Sequence, residues 1–320
     1  MKRTNKTIYR IAHLSDTHIS PEYNRHNVGK LRSLLAFVVD EGYDHIVLTG
    51  DITGQGEDRD FRSVRRLLKY FGLLDYERLS VTIGNHDIFG GVHRAEDLFS
   101  FKTHCRTVNY ADKLKAFEQA FKETLPKKAY PSQEVFPFVK IVGPAALVGM
   151  NSVSKFHAVF NPFGSNGQIL PEQIQAAETI LRHPTVNGLK KILLIHHHFN
   201  KYQPLADSIA KKLYHKFEGQ TLKLHGRKWI AETFGKIGVD AVLHGHTHVD
   251  EIYGTSGVLY SSTALDSIRA KSDTGRNEES LAFNELAIDG DGEIEIRRRP
   301  LVGMPKGSSY IREKNHRMSR

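Results

Sequence analysis

The chain has 320 residues, 39% of them hydrophobic and 25% charged, which is enough for one large α/β domain or two ordinary domains. No apolar run approaches the roughly 18 residues of a membrane span, and the single cysteine, Cys105, excludes an internal disulfide framework, so we expect a soluble cytoplasmic protein whose cysteine is structural. Lys and Arg number 45 against 36 Asp and Glu, and the net charge of +9 favours an anionic partner: a phosphorylated substrate, a nucleic acid or an acidic membrane surface.

Five short apolar runs predict β-strands, because each is four to six residues long and rich in β-branched side chains. Each run is followed at once by a cluster of polar side chains. The runs are YRIAHL, HIVLT, LSVTI, KILLI and VDAVL, and the clusters that follow them are residues 15–18, 50–51, 84–87, 196–198 and 244–248.

Between the first three runs, apolar residues recur at helical spacing within residues 28–39 and 61–71. Strand, helix, strand, helix, strand is the pattern of parallel crossover units. In such sheets the ligand-binding groups gather at the carboxyl ends of the strands. All five polar clusters lie at such ends, so we expect them to form one site.

The remaining segments complete one predicted domain, residues 1–305, followed by a basic, solvated tail at 306–320. Residues 136–151 predict a hairpin, and strands over 258–265 together with a hairpin over 281–298 predict a second sheet. Two stretches near 88–132 and 199–237 are too long for simple connections and predict cap-like inserts, with ordinary packed helices as the alternative. The second stretch carries apolar residues at four-residue steps, namely Leu205, Ile209, Leu213 and Phe217.

The polar clusters offer two carboxylates, one amide oxygen, four imidazoles and no thiolate, a donor set that suits divalent Mn, Fe, Zn or Ni. These donors exceed what one ion takes from protein if a position stays open for water. Two ions sharing one carboxylate match the count, and two-metal sites serve phosphoryl chemistry. The donors are Asp16, His18, Asp51, Asn85, one histidine of residues 196–198, His246 and His248.

The run of three histidines in IHHHF is either a solvated loop or the place where one ring holds a ligand. In a buried parallel strand both faces of ILLI are covered, so ligands begin at the first exposed residue. That residue is His196, with His197 as the alternative. His198 is expected to line the substrate cleft.

The blocks DTH, GDITGQGE, GNHD, IHHHF and GHTH, in this order, resemble the signature blocks of the calcineurin-like metallophosphoesterases. The resemblance implies an α/β fold, a four-layer α/β/β/α sandwich of two mixed sheets flanked by helices. It also implies two metal ions bridged by Asp51. One would be held by Asp16, His18, Asp51 and His248, and the other by Asp51, Asn85, His196 and His246.

The same resemblance implies catalytic roles for His86 and Asp87. His86 is expected to face the substrate phosphate and to stabilise charge or protonate the leaving oxygen, while Asp87 orients its ring. An exposed turn residue is the alternative interpretation of His86.

Sequence blocks that differ between branches of the family bear on the substrate class. The chain lacks the GDxxDRG and GNHE blocks of phosphoprotein phosphatases, whereas NGQILPEQIQAAETIL resembles the class III cyclic-nucleotide phosphodiesterase branch, although HHHF replaces HHPP. We therefore expect a phosphodiesterase that uses a metal-activated hydroxide, with manganese supporting activity in vitro. A diester is favoured because the blocks bring no arginine beyond Arg59 and Arg94, and monoesterases usually place arginines beside the metals.

Three other functions are compatible with parts of the sequence. Basic charge and an amphipathic insert favour a pyrophosphohydrolase of UDP-sugar lipids, which is compatible with peripheral membrane contact. A nuclease or basic nucleic-acid-binding protein is less favoured because no nucleic-acid motif is found. A metal-bound scaffold without catalysis is disfavoured because every ligand type is present. The sequence does not indicate an oligomeric state.

Overall fold

The computed structural model describes residues 8–92, 98–126, 135–200, 222–265 and 281–301. The predicted tail at 306–320, the apolar positions of the second insert (205, 209, 213 and 217) and Arg94 lie outside these ranges. Within the described ranges, no helix is long and apolar enough to cross a membrane.

A five-stranded mixed sheet is built on the first three predicted strands, with the order β13-β12-β1-β2-β3. Strands β1, β2 and β3 are parallel, as the crossover pattern predicts, whereas β12 pairs antiparallel with both β1 and β13. The strands are β1 (Tyr9–Leu14), β2 (His45–Thr49), β3 (Leu79–Thr82), β12 (Ala282–Ile288) and β13 (Ile294–Pro300).

A six-stranded mixed sheet faces the first one, with the order β10-β11-β9-β7-β5-β4. Its central strands are parallel, and antiparallel strands form both edges. The strands are β4 (Phe138–Val142), β5 (Ala145–Gly149), β7 (Lys190–Leu194), β9 (Ala241–His244), β10 (Glu251–Thr255) and β11 (Val258–Ser262). Two short strands, β6 (Gly167–Gln168) and β8 (Leu224–His225), pair separately.

Helices cover the outer faces of both sheets, and three hydrophobic clusters fill the layers between them. The cluster between the sheets contains Ile11, Val47, Leu147 and Leu243, while β1 turns Ala12 toward the helices. This arrangement confirms the predicted four-layer fold. The helices are α1 (Arg25–Asp40), α2 (Asp58–Tyr70), α3 (Asn85–Phe89), α4 (Leu98–Thr107), α5 (Tyr110–Phe121), α6 (Pro171–Leu181) and α7 (Arg227–Ile237), with a short 3-10 helix at Pro184–Val186.

The two hairpins predicted from the sequence are confirmed, but one of them belongs to a different sheet. Strands β4 and β5 lie in the second sheet as expected, whereas β12 and β13 extend the first sheet through β1. The physical reason is burial, because β12 is buried along nearly its whole length and needs a neighbour on each edge. In the first predicted insert, α5 packs Phe117 and Phe121 into the hydrophobic core.

Candidate metal centre

The backbone is strained at five of the predicted ligands. Asp16, His18, Asp51, His246 and His248 all have positive φ angles, of 50°, 41°, 46°, 80° and 56° respectively. Non-glycine residues rarely adopt this left-handed conformation, which costs energy and persists only where the surroundings enforce it. Among the described residues, one other non-glycine residue shares it. The strain is therefore concentrated at the strand ends where we expect the site.

Hydrogen bonds between the loops after β1 and β2 hold this conformation. The amide of Asp16 donates to the carbonyl of Gly50 at 3.1 Å, and the amide of His18 donates to the carbonyl of Asp51 at 2.9 Å. Asn27, which lies buried on α1, donates its side-chain amide to the carbonyl of Thr17 at 3.1 Å. Asn27 is not among the residues predicted from the sequence, although a polar residue on the buried face of an amphipathic helix is a signal for such a role.

Two glycines of the signature blocks allow the loops to approach one another. A Cβ atom on Gly84 would lie 2.2 Å from Oδ1 of Asp51, and one on Gly245 would lie 2.0 Å from Oδ2 of Asp16. Both carboxylates therefore occupy the space that a side chain would fill. The amide of His246 donates to both oxygens of Asp16, at 3.1 and 2.9 Å, and so joins the second sheet to the first.

The first group of ligand atoms contains Asp16, His18 and His248. Nε2 of His18 lies 2.9 Å from Nε2 of His248, and 3.8 Å from Oδ1 of Asp16. Nε2 of His248 lies 3.5 Å from the same oxygen. Asp51 is adjacent, with its Oδ2 3.9 Å from Nε2 of His18. These are the four residues expected to hold one ion.

The second group contains Asp51, His196 and His246, with Asn85 beside them. Nε2 of His196 lies 3.3 Å from Oδ2 of Asp51, 3.1 Å from Oδ1 of Asn85 and 3.2 Å from Nδ1 of His246. Asp51 therefore lies between the two groups, and it is almost completely buried. The shared carboxylate predicted from the donor count is found where both groups meet.

The electric field of the site favours positive charge beside Asp51. Burial acts to raise the pKa of Asp51, but the imidazoles of His196 and His86 outweigh it and hold the pKa well below its ordinary value. Burial acts to lower the pKa of His196, but the carboxylates of Asp51 and Asp16 outweigh it and raise the pKa to about 9. Burial holds the pKa values of His18 and His246 well below the ordinary value, so these rings are neutral donors.

The donor atoms of the second group suit a divalent cation. Nδ1 of His196 lies 2.9 Å from the carbonyl of Thr49 and donates its proton there, which leaves a lone pair on Nε2 when the ring is neutral. That lone pair faces the oxygens of Asn85 and Asp51, so three acceptor atoms converge. Such an arrangement is repulsive unless a proton on Nε2 or a bound metal ion lies among them, and the mixture of oxygen and nitrogen donors is one that Mn, Fe and Zn accept.

The three consecutive histidines separate into different environments. His196 reaches the predicted ligands, whereas His197 is bound elsewhere: its Nδ1 lies 2.8 Å from Oγ of Ser152 and its Nε2 lies 3.3 Å from the carbonyl of Ser165. His198 is buried, and its ring stacks on that of His246 with the centroids 5.8 Å apart. Burial lowers the pKa of His198 to about 3. The triplet is thus not a solvated loop.

The ring of His86 lies at the accessible side of the centre. Its side chain is 27% exposed and that of His248 is 35% exposed, against 6% or less for His18, Asp51 and His196. Nε2 of His86 lies 3.9 Å from Oδ2 of Asp51, close enough to act on a group bound beside that carboxylate.

Asp87 does not contact the ring of His86 as predicted. Its carboxylate accepts hydrogen bonds from the amides of Thr53 and Gly84, at 2.8 and 2.9 Å, and from the hydroxyl of Thr53 at 2.8 Å. Nδ1 of His86 lies 3.2 Å from the carbonyl of Gly54 instead. Asp87 thus ties the loops after β2 and β3 together. Sequence adjacency suggested the ring, but a short helix turns neighbouring side chains in different directions.

Comparison with known proteins agrees with this geometry. A family model described as calcineurin-like phosphoesterase matches residues 9–250. No curated protein sequence gives a significant match.

Two solved structures are similar in fold. A dimetal phosphatase from Danio rerio has a TM-score of 0.54 and 12% identity, over 91% of this chain and 98% of that one. A purple acid phosphatase from seeds of yellow lupin, Lupinus luteus, has a TM-score of 0.55 and 13% identity, over 92% of this chain and 52% of that one. At these identities the likeness shows the fold alone.

Proposed function

Because the chain belongs to the calcineurin-like phosphoesterase family, we propose that it is a binuclear metal-dependent hydrolase that cleaves a phosphodiester. The observation that carries the proposal is the pair of ligand groups that meet at Asp51, each built from both sheets. One ion would bind to Asp16, His18, Asp51 and His248. The other would bind to Asp51, Asn85, His196 and His246.

Two bound divalent ions would supply Lewis acidity, lowering the pKa of water and offsetting the charge of phosphate oxygens. The protein's own part is to fix the donors. The left-handed backbone and the packing against Gly84 and Gly245 hold both aspartates in one geometry. The buried neutral imidazoles of His18 and His246 then offer lone pairs without a proton to displace at neutral pH.

His86 is the residue proposed to act on the substrate itself. Its Nδ1 lies beside the carbonyl of Gly54, so a neutral ring that donates there presents the lone pair of Nε2, and a protonated ring presents a proton. Because its side chain is on the accessible side of the centre, it can meet the phosphate or the leaving oxygen. Its proposed work is to stabilise developing charge or to protonate the leaving oxygen.

The preference for a diester rests on the charge around the centre. A monoester carries a second negative charge that arginines commonly hold. Arg59, the one arginine of the signature region that the structure describes, pairs with Glu22 and Glu57 instead. No described arginine forms an ion pair with either ligand group. Two metals and one histidine suffice for a singly charged diester.

Within the family, we propose the class III cyclic-nucleotide phosphodiesterase-like branch, manganese as the supporting ion and a cytoplasmic location. The branch is supported by the segment that opens α6. There the side chain of Gln173 accepts from the amide of Asn151 at 3.1 Å and donates to its carbonyl at 2.9 Å. Asn151 precedes Ser152, whose hydroxyl contacts Nδ1 of His197. The start of α6 therefore holds the residues that pack against His197.

A substrate panel tests the proposal. Purified protein with Mn²⁺ is assayed on bis-nitrophenyl phosphate, nitrophenyl phosphate, cyclic AMP and a UDP-sugar pyrophosphate at neutral pH. We expect the diester to be cleaved faster than the monoester, with chelation abolishing both rates. A monoester rate ten times the diester rate would overturn the diester preference, and cleavage of the UDP-sugar pyrophosphate alone would favour the pyrophosphohydrolase alternative.

A further inference from the structure

Thr49, the last residue of β2, contacts the ring of His196 through its backbone. Its carbonyl accepts from Nδ1 of His196 at 2.9 Å and from Oγ of Ser15 at 3.1 Å. The orientation of this carbonyl therefore decides which nitrogen of His196 carries the proton and where the other nitrogen points. Two residues further on, the same chain reaches Asp51.

The side chain of Thr49 forms a hydrogen bond with a buried histidine, His13. Nε2 of His13, on β1, lies 2.9 Å from Oγ1 of Thr49, and Nδ1 of His13 lies 3.0 Å from Oγ of Ser261 on β11. His13 is fully buried and connects the two sheets directly beneath the candidate metal centre. It belongs to neither ligand group.

The hydrogen bonds of this network run in one direction. The side-chain amide of Asn284 donates to Oγ of Ser261 at 3.0 Å, so the hydroxyl proton of Ser261 is free to go to Nδ1 of His13. A neutral imidazole then carries its single proton on Nε2 and donates it to Oγ1 of Thr49. Burial holds the pKa of His13 well below its ordinary value, in agreement with a neutral ring.

A neighbouring threonine, Thr82, lacks this support. Thr82 ends β3 and lies opposite Thr49 in the register of the parallel pair. Both residues are fully buried, yet Oγ1 of Thr82 has no hydrogen-bond partner among the described residues. Two buried threonines at the same level of one sheet thus differ in whether their hydroxyl is part of a network.

We propose that the network Asn284–Ser261–His13–Thr49 positions the ring of His196, so that Nε2 stays directed at Asp51 and Asn85 for metal binding. The inference rests on the proposed function, because it assigns a role toward the metal centre. His13 and Thr49 are positioning residues, since neither touches substrate or the reacting atoms. The network gives the loop after β2 one fixed conformation across the two sheets.

The test compares Thr49→Val with Thr82→Val in the full-length protein. Both changes replace a buried hydroxyl by a methyl group at the same level of the sheet, and Thr49→Val keeps the backbone carbonyl. Metal content is measured after equilibrium dialysis over a series of Mn²⁺ concentrations. The absorption spectrum of the Co²⁺-substituted protein is also recorded, because it reports the geometry of each bound ion independently of activity.

Thr49→Val is expected to lower the affinity for one of the two ions by roughly 10–100-fold, the usual effect of losing a hydrogen bond that orients a metal ligand. It is also expected to alter the Co²⁺ spectrum. Thr82→Val should bind both ions as the wild type does, and Thr49→Ser, which keeps the hydroxyl, should restore binding. Equal binding by Thr49→Val and wild type, or equal losses in the two valine variants, would overturn the inference. A wild-type protein that binds fewer than two ions would instead contradict the proposed function.

Discussion

Gly245 illustrates at the residue scale how the signature blocks encode packing as well as ligands. The structure leaves no room for a side chain there, because a Cβ atom would lie 2.0 Å from both Oδ2 of Asp16 and Oγ of Ser15. The carboxylate would have to move for any other residue to fit. The glycine is therefore as necessary to the geometry of Asp16 as the strained backbone is.

Gly245→Ala is accordingly predicted to lower metal occupancy and to reduce activity by at least tenfold, because it displaces Asp16. Metal analysis of the purified variant checks the prediction. Gly29→Ala is the control, since Gly29 lies in α1 with no atom within 4 Å of the added Cβ and should keep full occupancy. Normal occupancy in both variants would show that the loop after β9 relaxes without disturbing Asp16.

His86→Ala should separate metal binding from chemistry. The side chain is expected to act on the substrate and not to bind metal, so both ions should remain while turnover falls by roughly 10²–10⁴-fold. The loss should be smaller for a nitrophenyl leaving group, which needs no proton. Metal analysis beside steady-state kinetics checks this. Since His18, Asp51 and His86 also place ligand atoms within 4.8 Å, loss of one ion would reassign His86 as a ligand.

The residues that converge on the centre could be predicted from the sequence because polar donors follow five predicted strands. The position of Asp87 could not, since its partners Thr53 and Gly84 are set by how two loops pack. His13 gave no signal either. A histidine inside an apolar strand resembles any core residue until the opposite sheet supplies its partner.

At the scale of elements, the site depends on two sheets whose strand ends meet. The predicted strand types and hairpins are confirmed, whereas the assignment of β12 and β13 to the second sheet is wrong. The alternation of apolar and polar residues along β12 and β13 is equally compatible with either sheet. They join the first sheet because β12 pairs with the free edge of β1. Pairing between distant segments is the part that local sequence patterns do not encode.

Lys140 joins the edges of the two sheets. It lies on β4, yet its buried Nζ donates to the carbonyls of Leu79 on β3, at 2.6 Å, and of Thr124 at 3.1 Å. Burial lowers the pKa of Lys140 to about 7, with Glu77 and Asp75 opposing the shift. The side chain thus links β3 and β4 by hydrogen bonds, while burial of its positive charge destabilises the folded protein.

The pH dependence of the free energy of unfolding should reveal the lowered pKa of Lys140. Because the folded pKa lies below the unfolded value, the unfolded chain binds the additional proton between about pH 7 and 10, and raising the pH favours folding. We expect Lys140→Met to lose this contribution, on the order of 1 kcal/mol per pH unit. Urea unfolding at pH 7, 8 and 9 measures it, with the exposed Lys115→Met as control. Equal slopes in wild type and Lys140→Met would contradict the assignment.

For the whole molecule, the two ions would act as cross-links between the sheets. Asp16, His18 and Asp51 come from the first sheet, and His196 and His246 follow strands of the second. Removing the ions should therefore loosen the sandwich as well as stop catalysis.

Chelation is predicted to lower the thermal midpoint by on the order of 10 °C, since a ligand present at about 1,000 times its Kd stabilises by about 4 kcal/mol. Scans with EDTA and with increasing Mn²⁺ measure the shift, which should grow with the logarithm of the metal concentration. The Asp16→Asn variant, with one binding group damaged, should show a smaller shift. An unchanged midpoint on chelation would argue against metals that bridge the two sheets.

The metal content of Asp51→Asn tests the binuclear centre most directly, because Asp51 belongs to the second ligand group and its Oδ2 lies 3.9 Å from Nε2 of His18 in the first. Wild-type protein, loaded with Mn²⁺ and freed of excess, should contain two ions per chain. Asp51→Asn would remove one charge from both coordination spheres, so the variant should contain fewer than two ions and lose most of its phosphoesterase activity. Two tightly bound ions with near-normal turnover in Asp51→Asn would contradict the binuclear centre.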